Sequence, residues 1–530
     1  MGSVRWLDLS VIVAYMAVLV YIGLRFSRRQ TSTDRYFTAK RTIPGWAVGL
    51  SLLATLISSV TFIAYPGSAY AGDWANLVPG LMGVLALLVA GFVVIPFYRR
   101  IVGVSAYEYF GRRFGYGARV YGSLAFALGH FSKMGFVFYL LALTVSSMTG
   151  WNTDRLVIVV GVITIAYTLI GGIEAVVWAD VLQGFALWIG IAICLGYLLF
   201  LPPGGPSALF HLAWASHKIK LGSMAPDLTK PTFLVLSIYG FFYYLQRYTA
   251  DQTVVQRFLV AKSDRAALRG LMLGGLLCVP VWSLFMLIGT LCWAFYKLSS
   301  ETLPSYINKA DGVFPYFITT HIPAGLAGLF MAALFGAAMA NLSSDLNSLA
   351  AIGVEDYYRA IRPNSTQRQR LFVAKIIVAI AGVLCMVVAT VLAHTAGVAL
   401  SLWYTVSAIV AGGLAGLFLL AFLSERTSAT AAYIGIAISI LFTAWATLTQ
   451  NNGKIWNLWP FNFPLHDYMI GVIAHLVLLS TGYLASFWFP NRDPASRDLT
   501  LWGWLRQRRS GHGCSPGVRE RNPDSLAGRA

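Results

Sequence analysis

Apolar residues run along this chain in long blocks, separated by short connections rich in basic residues, glycine or proline. Blocks of about 20 residues or more can cross a bilayer as helices. They lie at 6–26, 43–72, 76–98, 118–149, 155–174, 176–202, 231–256, 270–297, 313–353, 371–393, 396–423, 427–449 and 466–490, so thirteen spans are predicted. The first is too long for a signal-peptide core and no small-residue cleavage site follows it before Arg25, so it is expected to be a retained span. The second will not sit easily as one helix. Ser58, Ser59 and Thr61 gather at its centre with β-branched Ile57 and Val60, and Pro66-Gly67 follow. Hydrocarbon tolerates loosened backbone only where protein or a water-filled cavity meets the freed carbonyls and amides, so a break at 56–61 marks a place where something polar binds. A helix kinked by Pro66, with its hydroxyls bonded back to the preceding turn, would leave the same pattern.

Composition agrees with the pattern. The chain has 530 residues, 57% hydrophobic and 11% charged, with mean hydropathy +0.67, whereas soluble domains carry roughly 25% charged residues. A polytopic membrane protein is expected. The net charge of +18 raises the question of nucleic acid. With the N-terminus outside, however, 28 of the 39 basic residues fall on inward loops and the tail, eight on outward segments and three within spans. That asymmetry is the positive-inside rule, and it directs the basic excess to topology and anionic lipid rather than DNA or RNA. Residues 491–530, rich in Arg, Ser, Gly and Pro, are expected to form a disordered cytoplasmic tail after a transmembrane domain at 1–490. The five cysteines show no paired spacing and the eight histidines no metal-ligand spacing. Walker, GxSxG and HExxH patterns are absent, so ATP-driven pumping and enzymatic hydrolysis lose support.

Ionisable groups inside spans are costly unless paired or wetted. Here they are Lys133, Asp180, Arg247, Asp251 and Asp345. Arg247 and Asp251 are four apart on one helical face, which suits an ion pair as well as a solute role. Asp180 lies near the inner end of its span and would also suit a snorkelling carboxylate. Lys133 has no acidic residue within a turn and needs a partner from another helix or from a ligand. A second polar concentration, GAAMANLSSDLNS at 336–348, combines a small packing face with Ser343, Ser344, Asp345, Asn347 and Ser348. Its oxygens are the ligand type a hard cation needs.

The segments SSVTFIAYPGSAYAGDW, SAYEYFGRRF at 105–114, YTLIGGIEAVVWADVLQ at 167–183, TADQTVVQRF at 249–258 and SSDLNS at 343–348 occur in order within residues 6–490. In this combination the chain resembles the sodium:solute symporters, and among them is most similar to the bacterial sialic-acid transporters. The resemblance implies an all-α, LeuT-like core of two five-helix inverted repeats, about 43–202 and 231–423. The broken first helix of each repeat would hold solute and ion near the midplane, with 246–253 as the counterpart of 56–61.

Carried over position by position, the family's principal sodium site falls on the carbonyls of Ala54, Ile57 and Ala337. The two hydroxyl positions are Ala340 and Asn341 here: an alanine cannot coordinate, and an Asn amide oxygen is longer and neutral. A second sodium position matches Asp180, Ser343 and Ser344. Sodium is therefore the expected coupling ion, with proton coupling through Asp180 or Asp345 left open. The solute-carboxylate positions match Ser58, Thr61 and Lys133, where Lys replaces Arg and loses the planar fork. Leu56, Asn76 and Gly80 stand in place of other pocket residues, and Arg247 and Asp251 are charges where relatives are uncharged. A small hydrophilic solute is expected, either an acidic sugar such as sialic acid or another organic anion, with a neutral sugar or polyol as the alternative. A channel would need a continuous polar stripe, and a transport-fold sensor would need a separate partner. Oligomeric state is not legible.

Overall fold

The computed structural model describes residues 6–27, 33–58, 60–149, 151–305, 307, 309–394, 406–407, 409, 412–453 and 455–509. These residues are helical throughout, joined by loops and two isolated bridges. Eight of the described helices are long and apolar enough to cross a membrane, or nine with the bent pair Gly45–Leu56 and Val60–Ala71 counted as one span. The predicted thirteen differ in identifiable places. The spans expected at 155–174 and 176–202 form one helix, Thr153–Phe200, whose Ile173–Phe200 part is membrane-length. Gly171-Gly172, with no proline beside it, does not end that helix. The helix Phe233–Ala250 runs through Gln246 and Arg247, which interrupt its apolar run, and ends at Ala250. Most of 396–413 lies outside the described residues; Leu414–Leu423 is helical.

Both repeats break in the same way. The helix Gly45–Leu56 ends on Ile57 in extended backbone (φ −95°, ψ 115°). The helix Phe233–Ala250 ends on Asp251 in nearly identical backbone (φ −94°, ψ 117°), and Gln252–Leu259 follows. Local chemistry holds each break open. Ser58 Oγ accepts from the amide of Val60 at 3.3 Å, and Asp251 Oδ1 accepts from the amide of Thr253 at 2.9 Å, capping the second half-helix. Pro66 lies in the first turn of Tyr65–Ala71, well beyond the break. The interruption is therefore not a proline kink.

The broken elements pack at close range. A Cβ on Gly270 or Gly274 of the long helix Asp264–Leu298 would fall 2.7 Å or 2.5 Å from the carbonyl oxygen of Gly45 or Gly49. Glycine at four-residue spacing on both partners permits this contact, as small-residue faces do in membranes. The segment 105–114 ties down the second break. Gln252 accepts from the amide of Ala106 and donates to the carbonyl of Val104, while Tyr107 Oη donates to the carbonyl of Ala250.

The connection 203–230 folds over one end of the first broken helix. Lys218 donates to the carbonyls of Tyr70 and Gly72, and the amide of Trp74 donates to Lys220 at 2.8 Å. Partial burial holds the Lys218 ammonium below the usual lysine range, with Asp73 opposing. The second long connection reaches the same helix, where a Cβ at Gly67 would strike Asp311. Both connections therefore cap this end.

The start of the tail corrects an expectation. Residues Pro494–Arg497 and Leu501–Arg509 are helical rather than disordered. Trp504 is buried, Trp502 Nε1 donates to the carbonyl of Leu423 at 2.7 Å, and Arg113 donates to Ser496 Oγ at 2.6 Å. Trp504 supplies the buried apolar surface that the basic composition obscured. Residues 510–530 lie outside the described residues.

Candidate functional site

A cavity of about 450 Å³ opens beside the first break, lined by Ser58, Thr61, Lys133, Arg247, Tyr65 and Trp282 among others. Four predicted solute residues thus meet at one place, brought there from three separate helices. Thr61 sits in the short π-helical stretch Val60–Ala64 that follows the break, and it lines the cavity. Asn76 does not line this cavity; its amide donates to Ser68 Oγ at 2.7 Å behind the Tyr65–Ala71 helix. Gly80 has a steric role, since a Cβ there would lie 2.7 Å from the Trp282 ring.

The charges at the cavity form a connected chain. Arg247 pairs with Asp251, whose Oδ2 lies 3.0 Å from His130 Nε2. His130 Nδ1 lies 3.0 Å from Asp345 Oδ1, which also accepts from Lys133 Nζ at 2.9 Å. All five groups are buried. Lysine, arginine and two aspartates balance, so the cavity presents cations that are already matched. A neutral imidazole donates through one nitrogen only. Two carboxylates on His130 therefore imply one further proton, on the ring or on an aspartate. Asp251 lines a second cavity of about 440 Å³ with His130, Lys133, Gln246 and Ser407 on the other side of these charges.

His130 was missed in the sequence because a lone histidine in a glycine- and phenylalanine-rich helix has no local partner. Its position three residues before Lys133, on the same helical face, was the available signal. The partner that Lys133 required is Asp345, supplied by the helix Leu326–Ile352.

The two sodium positions differ. At the principal one, Asn341 Nδ2 donates to the carbonyls of Ala54 at 2.7 Å, Ile57 at 2.9 Å and Ala337 at 3.2 Å. Its Oδ1, the atom expected to coordinate, has no hydrogen-bond partner. The predicted ligands are assembled, but a nitrogen lies among them. At the second position Asp180 is fully buried, which excludes a snorkelling carboxylate. Its Oδ2 accepts from Ser51 Oγ at 2.5 Å and from Arg257 Nη2 at 3.2 Å, and Arg257 also donates to Ser344 Oγ. Asp180 Oδ1 is buried without a hydrogen-bond partner, and the Ser343 and Ser344 hydroxyls both back-bond to the carbonyl of Ala340. Arg257 thus bridges Asp180 and Ser344, and Asp180 Oδ1 is the carboxylate oxygen left for a hard cation. Arg257, one residue beyond the span predicted at 231–256, is 1% exposed inside the half-helix Gln252–Leu259.

Known proteins resemble this chain in sequence and in fold. The model of the sodium:solute symporter family matches residues 36–439. The sodium/sialic acid symporter NanT of Aliivibrio fischeri is 33% identical over 482 residues, 90% of this chain and 92% of that protein. The sodium/sialic acid symporter SiaT of Proteus mirabilis is 33% identical over 500 residues, 93% of this chain and 97% of that protein. Among solved structures, the substrate-bound outward-open state of a Na+-coupled sialic acid symporter superposes with a TM-score of 0.83 at 31% identity. It covers 92% of this chain and 99% of that one.

Proposed function

The chain belongs to the sodium:solute symporter family, and from that premise we propose that it carries a small acidic sugar of the sialic-acid kind into the cell together with sodium. It is a LeuT-like, multi-pass secondary transporter with sodium as coupling ion. The observation that carries the solute reading is the meeting of Ser58, Thr61 and Lys133 at one cavity beside the broken helix. Two hydroxyls and an ammonium are the groups a carboxylate would use, and the aromatic wall of Tyr65 and Trp282 suits the apolar face of a sugar ring. Sodium supplies the gradient and a positive charge near the midplane. The residues of the second position supply the site: the hydroxyls at 343–344 and the Asp180 carboxylate. Rocking of one repeat against the other would expose the site to alternate sides. The basic asymmetry supports a plasma-membrane orientation with the N-terminus outside and the C-terminus cytoplasmic, its arginines against anionic lipid.

One observation favours a neutral sugar or polyol as a second reading. Lys133 and Arg247 are each already paired with an aspartate, so an incoming carboxylate must compete with Asp345 or bind through hydroxyls alone. Uptake of radiolabelled sialic acid into proteoliposomes under an imposed sodium gradient tests the proposal. Neutral sugars, polyols and monocarboxylates serve as competitors. Sodium-dependent uptake inhibited by acidic sugars is expected; uptake of neutral sugars unaffected by any acid would replace the acidic-sugar reading with the neutral one.

A further inference from the structure

We propose that the side-chain amide of Asn341 permanently takes the place of a sodium ion at the principal site, so that this symporter binds its coupling sodium only at Asp180, Ser343 and Ser344. The proposal rests on the sodium-symport reading and deepens it. Three carbonyl oxygens converge on Asn341 Nδ2 at 2.7–3.2 Å, the range of N–H···O hydrogen bonds. A hard cation such as calcium sits about 2.3–2.6 Å from its oxygens, so a cation of that kind and the nitrogen cannot share this point. Ala340 removes the hydroxyl that would compete for the ion, and Asn341 Oδ1 makes no hydrogen bond.

The substitution also has a positive reason. Ala54 and Ile57 lie at the C-terminal end of the helix Gly45–Leu56, where the last carbonyls lack intrahelical partners and carry the negative end of the macrodipole. Buried carbonyls of this kind need a donor or a cation. The amide supplies two N–H groups and leaves the cage neutral, joining the first break to the helix Leu326–Ile352 without dissolved ion. The link that sodium would make and release in each cycle is thereby fixed. The Asp180 site keeps its partnerless carboxylate oxygen and can still take a cation.

The experiment counts ions rather than turnover. Equilibrium binding of ²²Na+ to purified protein in detergent is measured for wild type, Asp180→Asn, the double variant Ala340→Ser with Asn341→Ser, and all three changes together. Wild type is expected to bind one sodium, lost in Asp180→Asn. The double-serine variant is expected to bind two, of which one survives Asp180→Asn. A double-serine variant that binds no more sodium than wild type, or a wild type that already binds two, overturns the proposal. Wild type binding none while the double-serine variant binds one supports the amide surrogate and removes the sodium-coupling reading instead. A second measurement guards against misfolding. Asn341→Ala should lose thermal stability in choline chloride and regain it in sodium chloride, because the vacated cage accepts the ion; an equal loss in both salts counts against the proposal.

Discussion

Lys133 and Asp345, 212 residues apart in the chain, meet as a buried ion pair with Nζ 2.9 Å from Oδ1. The same carboxylate oxygen holds His130, so removing the ammonium strips charge from a group with 0% side-chain exposure. Lys133→Gln should therefore destabilise the transporter by about 3–5 kcal/mol, the cost of breaking a buried pair from one side. Lys133→Gln with Asp345→Asn should recover most of that loss. Fluorescence-detected size exclusion after heating measures it. If Lys133→Gln is as stable as wild type and only the apparent solute constant rises, the lysine serves the solute and not the pair.

Lys133→Arg separates the solute readings. An arginine keeps the charge on Asp345 and adds a planar fork for a second carboxylate. Binding of acidic solutes should be retained or tightened, as read by isothermal titration. A native solute that is uncharged and binds Lys133→Gln as well as wild type would exclude a carboxylate at this end of the cavity.

Asp180 is the test of the ion. Its Oδ2 is held by Ser51 and Arg257, while Oδ1 has no hydrogen-bond partner. Asp180→Asn should raise the sodium concentration for half-maximal uptake by roughly tenfold or more, corresponding to about 1.4 kcal/mol or more of lost binding. Uptake that follows an imposed pH gradient and ignores sodium would move the coupling to the His130 charges.

Gly289 on Asp264–Leu298 touches the first broken helix directly: a Cβ there would lie 2.1 Å from the carbonyl oxygen of Pro66. Backbone cannot yield as a side-chain tip can. Gly289→Ala should lower stability by about 1–3 kcal/mol through overpacking and reduce uptake together with it. An unchanged melting midpoint would show that the two helices separate freely.

The basic-residue asymmetry predicts a cytoplasmic Arg-rich tail and an external N-terminus. Alkaline phosphatase and green fluorescent protein fused at the C-terminus report the side. Phosphatase activity without fluorescence would reverse the topology.

Class and the first break were legible in the residues themselves, whereas the ligand sets came only from the resemblance to the symporter family. Hydrophobic length reports membrane insertion because every apolar block must cover the same thickness of hydrocarbon. The break at 56–61 was legible because hydroxyls and β-branching oppose helix locally, and that at 246–253 only through the family resemblance; they appear at Ile57 and Asp251. The helical start of the tail was not legible, because its docking surface comes from Tyr109, Arg113 and Leu423 far upstream.

The sequence by itself determined that this is a polytopic membrane protein with an interrupted second span, and its resemblance to the sodium:solute symporters made it a transporter. Only the tertiary structure decided how its buried polar groups are used. It paired Lys133 with Asp345, placed His130 between two aspartates, drew Arg257 onto Asp180 and turned the nitrogen of Asn341 into the carbonyl cage. The physical reason is that a buried charge or amide is satisfied by whatever the fold brings within about 3 Å of it, and for these residues the partner comes from a different helix.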